Sequence, residues 1–170
     1  MVVAINNTQE DAVKVRDIME LVRDVLSPDD TLKEAVNRMR VARRGESKVG
    51  VKGMIVVDGG GNLVGMVSIK DILKTIIPFY MTYSELSEFT WDGMLEEMAR
   101  KVAGKKVKEF MTKEVITIEE DSPLMECADI MVKKNLQRIP VVGKDKKVVG
   151  IVYVRDLYYA LVKTLLEREE

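Results

Sequence analysis

Residues 54–73 read MIVVDGGGNLVGMVSIKDIL: an apolar run, a glycine-rich turn, a second apolar run and a charged start to a further element. That order describes a hairpin running into a helix. It occurs again at 139–158, IPVVGKDKKVVGIVYVRDLY, where Gly150 falls against Gly65 and Asp156 against Asp71 at an offset of 85. A repeat constrains the architecture more strongly than any single motif within it.

Upstream the repeat continues. VRDIM at 15–19 aligns with VKEFM at 107–111, an offset of 92, and each is followed by a short extended stretch, Asp24–Leu26 or Ile116–Ile118. Next come Leu32, Ala35, Val36 and Met39 in one copy and Leu124, Cys127, Ala128 and Met131 in the other. Both sets follow i, i+3, i+4, i+7, which predicts one buried helix face. Asp30 and Ser122 are expected at the N-caps, with Pro123 as first helical residue. Cys127 aligns with Ala35 and reads as a small core residue rather than a catalytic thiol.

The offset falls from 92 to 85 because the first copy carries seven extra residues within RVARRGESKVGVKG, 40–53, an expected exposed loop. Its cations either stand in water or reach a bound phosphate. The GGGN turn at 59–62 joins two strands without a following helix, so it predicts a hairpin with glycines at positive φ and not a phosphate loop.

Each copy therefore reads strand, helix, strand, strand, helix. A unit of roughly 55–60 residues is near the lower limit for a lone core, so two copies packed together are expected, related by a pseudo-twofold axis and forming two similar clefts. The chain divides into an N-terminal arm (1–14), a first unit (15–74), an aromatic-rich spacer (75–106) and a second unit (107–170). The spacer holds Phe79, Tyr80, Tyr83, Phe89 and Trp91, too apolar for a flexible linker. Pro78 should end the helix begun at Asp71, a spacer helix is expected from Thr90 to Ala103, and a last helix from Arg155 to Leu166 carries Leu157, Leu161 and Leu165 four apart.

Composition narrows the function. A net charge of −1 from 27 basic and 28 acidic residues argues against general affinity for nucleic acid or anionic membrane. No run approaches the roughly 20 apolar residues of a membrane span, and the N-terminus lacks the basic region of a signal peptide, so a cytoplasmic location is expected. Histidine is absent, no metal-ligand cluster is evident and no nucleophile stands beside a base, so neither catalysis nor a metal requirement is expected.

Together the VRDIM and KEFMT lead-ins, the IPVV at 139–142 and the twin GMVSIKD and GIVYVRD segments resemble the cystathionine β-synthase (CBS) domain, which occurs as tandem pairs called Bateman modules. The resemblance spans about 15–74 and 107–161. It implies an α+β fold of two βαββα units with their sheets packed together. It also implies that clefts between the paired units take adenosine-containing ligands, with a regulatory role, and that such pairs dimerise. The family pattern of Gly, two apolar residues, Ser or Thr, two variable residues and Asp is met in full by Gly65, Ser68 and Asp71; in the second copy Gly150 and Asp156 meet it, but Tyr153 replaces the hydroxyl residue.

By this resemblance Asp71 and Asp156 take ribose hydroxyls, and Ser68, with Tyr153 in its place, faces ribose or phosphate. Val25 and Thr117 offer backbone groups to the adenine edge. Met54 to Val56 in one copy, and Arg138 to Val141 with Ile139 and Pro140 in the other, form the strand that covers the base, and Ile55 stands where the second copy has Pro140. Lys70 and Arg155, which precede the two aspartates, pair with phosphate or point into water. The physical chemistry agrees: a helix start leaves donors free for phosphate, and a carboxylate accepts two hydroxyls. Ser68 and Asp71 also fit a capping box, in which both serve the helix itself.

The expectation is a stand-alone regulatory module binding AMP, ADP or ATP, with S-adenosylmethionine less favoured because the surrounding charge is basic. It would sense energy state, form a homodimer and signal to an unidentified effector protein. The alternative is a structural dimerisation module whose clefts are degenerate. Binding of nucleic acid through the basic loop is a weaker third reading.

Overall fold

The computed structural model describes residues 12–44, 48–77 and 92–167. Most of the N-terminal arm, the tip of the basic loop at 45–47, Pro78 and the five spacer aromatics lie outside the described residues. The chain forms two compact units, one of residues Arg23–Val115 and one joining Met1–Val22 to Ile116–Glu170. They are called the first and second units below.

In the second unit, α1 (Val15–Ile18) leads into β1 (Glu20–Leu21), and after β6 (Ile118–Glu119) come α6 (Leu124–Lys134), β7 (Arg138–Val142), β8 (Val148–Tyr153) and α7 (Val154–Leu166). The sheet order is β1-β8-β7-β6, antiparallel except for β6 beside β7. The first unit contains α2 (Leu32–Val41), the two-residue strands β2 (Arg43–Arg44) and β3 (Lys48–Val49), β4 (Gly53–Val57), β5 (Leu63–Ser68), α3 (Ile69–Ile76), α4 (Met94–Val102) and α5 (Val107–Phe110). Its β4 and β5 pair antiparallel, flanked by single bridges from Leu26 to Val56 and from Thr112 to Met66. The fold is α+β, and the second copy shows the strand–helix–strand–strand–helix order, while in the first the expected strand at Asp24–Leu26 is reduced to the single Leu26–Val56 bridge.

Repeats and compact units divide the chain differently. The lead-in segment of the first copy, Val15–Leu21, pairs with β8 of the second, and the lead-in of the second, through Thr112, pairs with β5 of the first. Gly65 and Gly150 make these pairings possible. A Cβ on Gly65 would stand 3.0 Å from the Thr112 carbonyl oxygen, and one on Gly150 2.8 Å from that of Glu20. Only a residue without a Cβ lets the neighbouring backbone come so close.

Helix positions follow the periodic pattern with three corrections. Leu32, Ala35 and Met39 are buried, but Val36 is 42% exposed, at the edge of the apolar stripe. The N-cap of α2 is Thr31, not Asp30. Its hydroxyl accepts from the Glu34 N–H at 3.1 Å while the Glu34 carboxylate accepts from the Thr31 N–H at 2.7 Å, and Asp30 instead accepts from the Ser27 N–H. Pro123, expected as first helical residue, is the N-cap of α6. The basic segment is only partly a loop: Arg40 lies in the last turn of α2 and Arg43–Arg44 pairs with Lys48–Val49. In the GGGN turn Gly61 alone has positive φ, 77°, and Asp58 holds the turn through the Gly60 and Asn62 N–H groups.

Each unit has its own apolar cluster. Met54, Val56 and Val67 pack with Leu32, Ala35 and Met39 in the first, and Ile139, Val141 and Val152 with Cys127 and Met131 in the second. Cys127 is fully buried, and loss of water pushes its thiol pKa up to about 11, the behaviour of a core residue rather than a nucleophile.

Candidate functional site

The last strand of each copy runs into the last helix, and the aspartate of the repeated motif sits in that helix's first turn. In the first unit Ser68 caps α3. The Asp71 Oδ2 accepts the Ser68 N–H at 2.8 Å and the Ser68 hydroxyl at 2.9 Å, and the Asp71 N–H donates to Ser68 Oγ at 3.3 Å. The capping box anticipated from the sequence is therefore formed. It uses one carboxylate oxygen. The other, Oδ1, accepts the Thr112 hydroxyl at 3.2 Å and retains room for another donor. Thr112 is held by reciprocal backbone bonds with Met66, both 2.9 Å.

In the second unit Tyr153 occupies the cap position, and its N–H donates to Asp156 Oδ2 at 2.8 Å. Tyr153 is 9% exposed, and the Arg155 guanidinium carbon lies 5.4 Å from its ring centroid. Arg155 also pairs with Glu20 at 3.5 Å. Glu20 is the counterpart of Thr112 at the offset of 92, so an anionic side chain replaces a neutral hydroxyl beside the second motif. Arg155 is thus engaged by a carboxylate of the same unit rather than left wholly to water.

The other expected positions are dispersed within their units. Met54 and Ile139 belong to the core clusters. Strand alternation turns Ile55 and Pro140, both buried, to the opposite face. Arg138 is half-buried at the start of β7, opposite Tyr153 in the pairing of β7 with β8. The carbonyl oxygen of Val25 accepts from Arg38 Nη1 at 3.2 Å, an interaction the sequence did not suggest, while Thr117 and Lys70 are exposed. Thr112 and Glu20 were missed as site neighbours. Their signal was present in the aligned lead-in segments, one residue beyond the quoted VRDIM and VKEFM.

A hollow of about 440 Å³ adjoins Asp71 on the first unit. Asp71, Lys74 and Thr75 of α3 form one wall, and Lys105 with Glu109 and Phe110 of α5 the other. A second hollow, about 410 Å³ and almost wholly apolar, separates α6 from α7 on the second unit, with Met125, Met131, Val132, Tyr158 and Leu161 on its walls. Met125, Val132 and Leu161 are 79%, 81% and 54% exposed.

The CBS domain model matches residues 15–78 and 107–163. The chain belongs to the CBS domain family, and it carries the domain as a tandem pair. Among curated relatives, the inosine-5′-monophosphate dehydrogenase of Methanocaldococcus jannaschii is 29% identical over 151 residues, a match that takes in 88% of this chain and 24% of that enzyme. Among solved structures, CBSX2 of Arabidopsis thaliana in complex with AMP superposes with a TM-score of 0.64 at 24% identity, covering 90% of this chain and 98% of that one. The CBS domain pair of protein MJ0100, in complex with 5′-methylthioadenosine and S-adenosyl-L-methionine, gives 0.62 at 25% identity, covering 90% and 98%. No helix among the described residues is long and apolar enough to cross a membrane.

Proposed function

We propose that this chain is a non-catalytic regulatory module that binds an adenine nucleotide, AMP, ADP or ATP, at the Asp71 motif of its first unit and passes the change to a partner protein. The observation that carries this reading is the Asp71 carboxylate. One oxygen fixes the helix start, while the other is open to a ribose hydroxyl beside a hollow wide enough for a nucleotide. AMP in CBSX2 and the two adenosine compounds in the MJ0100 pair support the ligand class. Isothermal titration of the full chain with AMP, ADP and ATP tests it. At least one should bind saturably, and Asp71→Ala should weaken that ligand at least tenfold while Asp156→Ala has a smaller effect. Absence of binding by all three would remove the reading.

A second reading, dimerisation, is favoured by the apolar hollow between α6 and α7, since exposed patches of that kind commonly mark association surfaces. Charge along α6 runs from Glu126 and Asp129 to Lys133 and Lys134, so an antiparallel approach of two copies would set acid against base. Sedimentation of wild type and Met125→Lys tests it: the wild type should be a dimer and the variant a monomer.

A further inference from the structure

We propose that Lys74 and Lys105 form the phosphate-holding pair of the first unit and make its Asp71 site selective for a 5′-phosphorylated nucleoside over uncharged or cationic adenosine compounds. This inference rests on the nucleotide reading above and adds the residues that choose among ligands.

Lys74 lies three residues after Asp71 on α3, so the two side chains share a helix face, separated by a rise of roughly 5 Å, close to one turn. Both line the hollow of about 440 Å³, and Lys105 faces them from the other wall. Its position is fixed by the main chain: the Lys105 carbonyl accepts from the Leu32 N–H at 2.8 Å, and its N–H donates to the Val102 carbonyl at 2.9 Å. Lys106 next to it bridges to Thr31. The backbone at Lys105 is thus tied to the start of α2, and only its side chain needs ordering when a ligand arrives.

The remaining groups of the hollow fit the same ligand. Among the described residues, nearby carboxylates engage neither lysine in a hydrogen bond or ion pair. Glu109, the acid on the Lys105 side, accepts the Lys106 N–H at 2.7 Å. The Thr75 hydroxyl is turned to the Asp71 carbonyl at 2.8 Å. Two ammonium groups therefore remain as donors beside a carboxylate that accepts hydroxyls. A nucleotide presents this complement, a sugar diol with an anionic phosphate one ring away. The cationic sulfonium of S-adenosylmethionine would meet two like charges, and adenosine would leave both lysines in water.

The second copy lacks the pair. At the repeat offsets Lys74 corresponds to Tyr159 and Lys105 to Val13, both more than half exposed and neither charged. The two lysines therefore distinguish this copy and are not a shared requirement of the fold.

Titration of the full chain and of the Lys74→Gln/Lys105→Gln double variant with AMP, adenosine and S-adenosylmethionine tests the inference at two salt concentrations. Wild type should bind AMP at least tenfold more tightly than adenosine, with an affinity that falls as salt rises. The double variant should lose about tenfold for AMP and almost nothing for adenosine, and Lys74→Arg/Lys105→Arg should keep AMP affinity near wild type. If AMP binds both wild type and the glutamine variant equally, the phosphate pair is wrong while the nucleotide reading stands. If wild type binds adenosine as tightly as AMP, the selectivity is wrong. If AMP, ADP and ATP all fail to bind wild type, the nucleotide reading fails and this inference with it.

Discussion

The starts of α3 and α7 are built on the same plan from different chemistry. In both, an aspartate three residues beyond the cap accepts the cap residue's N–H at 2.8 Å, and a glycine in the preceding strand admits the neighbouring lead-in backbone. Around Asp71 the close neighbours are the hydroxyls of Ser68 and Thr112, with Lys74 on the same wall of the adjoining hollow and Lys105 on the other. Around Asp156 they are the ring of Tyr153 and the Arg155–Glu20 pair. Duplication preserved the backbone device and let the chemistry diverge. Beside α7 the Glu20 carboxylate engages the arginine next to the motif, whereas beside α3 the carboxylate across the hollow, Glu109, accepts a backbone N–H instead.

The largest expected effect tests what the two motifs share. Gly65→Ala and Gly150→Ala each set a methyl group against a carbonyl oxygen that cannot retreat without breaking strand pairing, and each should cost about 2 kcal/mol. Chemical denaturation should show similar losses for both; a harmless substitution at either would mean that one lead-in pairing is looser than the other. The next test concerns what differs. Glu20→Thr combined with Tyr153→Ser copies the two hydroxyls beside Asp71 onto Asp156 and should raise nucleotide stoichiometry from one towards two per chain, the added site strengthening by about tenfold, or 1.4 kcal/mol. An unchanged stoichiometry would show that these two positions do not account for the asymmetry.

Smaller effects belong to the other helices of the two copies. Thr31→Ala removes the α2 cap and should cost about 1 kcal/mol. Pro123→Ala removes no side-chain cap from α6 and should cost less. The α2 cap also depends on pH. The Thr31 N–H holds the Glu34 carboxyl below its ordinary value of 4.5, so this contribution is complete above that value and lost as pH falls through the lowered folded-state value. Following Glu34 by NMR should show it titrating below 4.5 in the wild type. A titration at or above 4.5 would mean that the α2 cap is not closed in solution.

Much of this was legible because repetition amplified weak local signals. The spacing of Leu32, Ala35 and Met39 defined a helix face, and the same spacing at Leu124, Cys127 and Met131 placed the thiol in a core. The Thr31-x-x-Glu34 box was passed over for Asp30, because adjacent Asp30 and Thr31 are both good caps and only the direction of their side chains separates them. Leu161 and Leu165 follow Leu157 at the expected spacing, yet they are 54% and 70% exposed, and Leu161 lines the open apolar hollow between α6 and α7. Arg155 looked like the equal of Lys70 in the alignment. Its partner Glu20 lies far away in sequence, and no local pattern joins them.

The sequence by itself determined the repeated α+β units, the family and the difference between Ser68 and Tyr153, because periodicity and motif spacing are properties of short segments. Tertiary structure decided which lead-in pairs with which sheet, and so which residues stand beside each aspartate. It brought Thr112 to Asp71, Glu20 to Arg155 and Lys105 across from Lys74. The physical reason is that hydrogen bonds and charge pairing act over a few ångströms of space, whatever the number of residues between the partners.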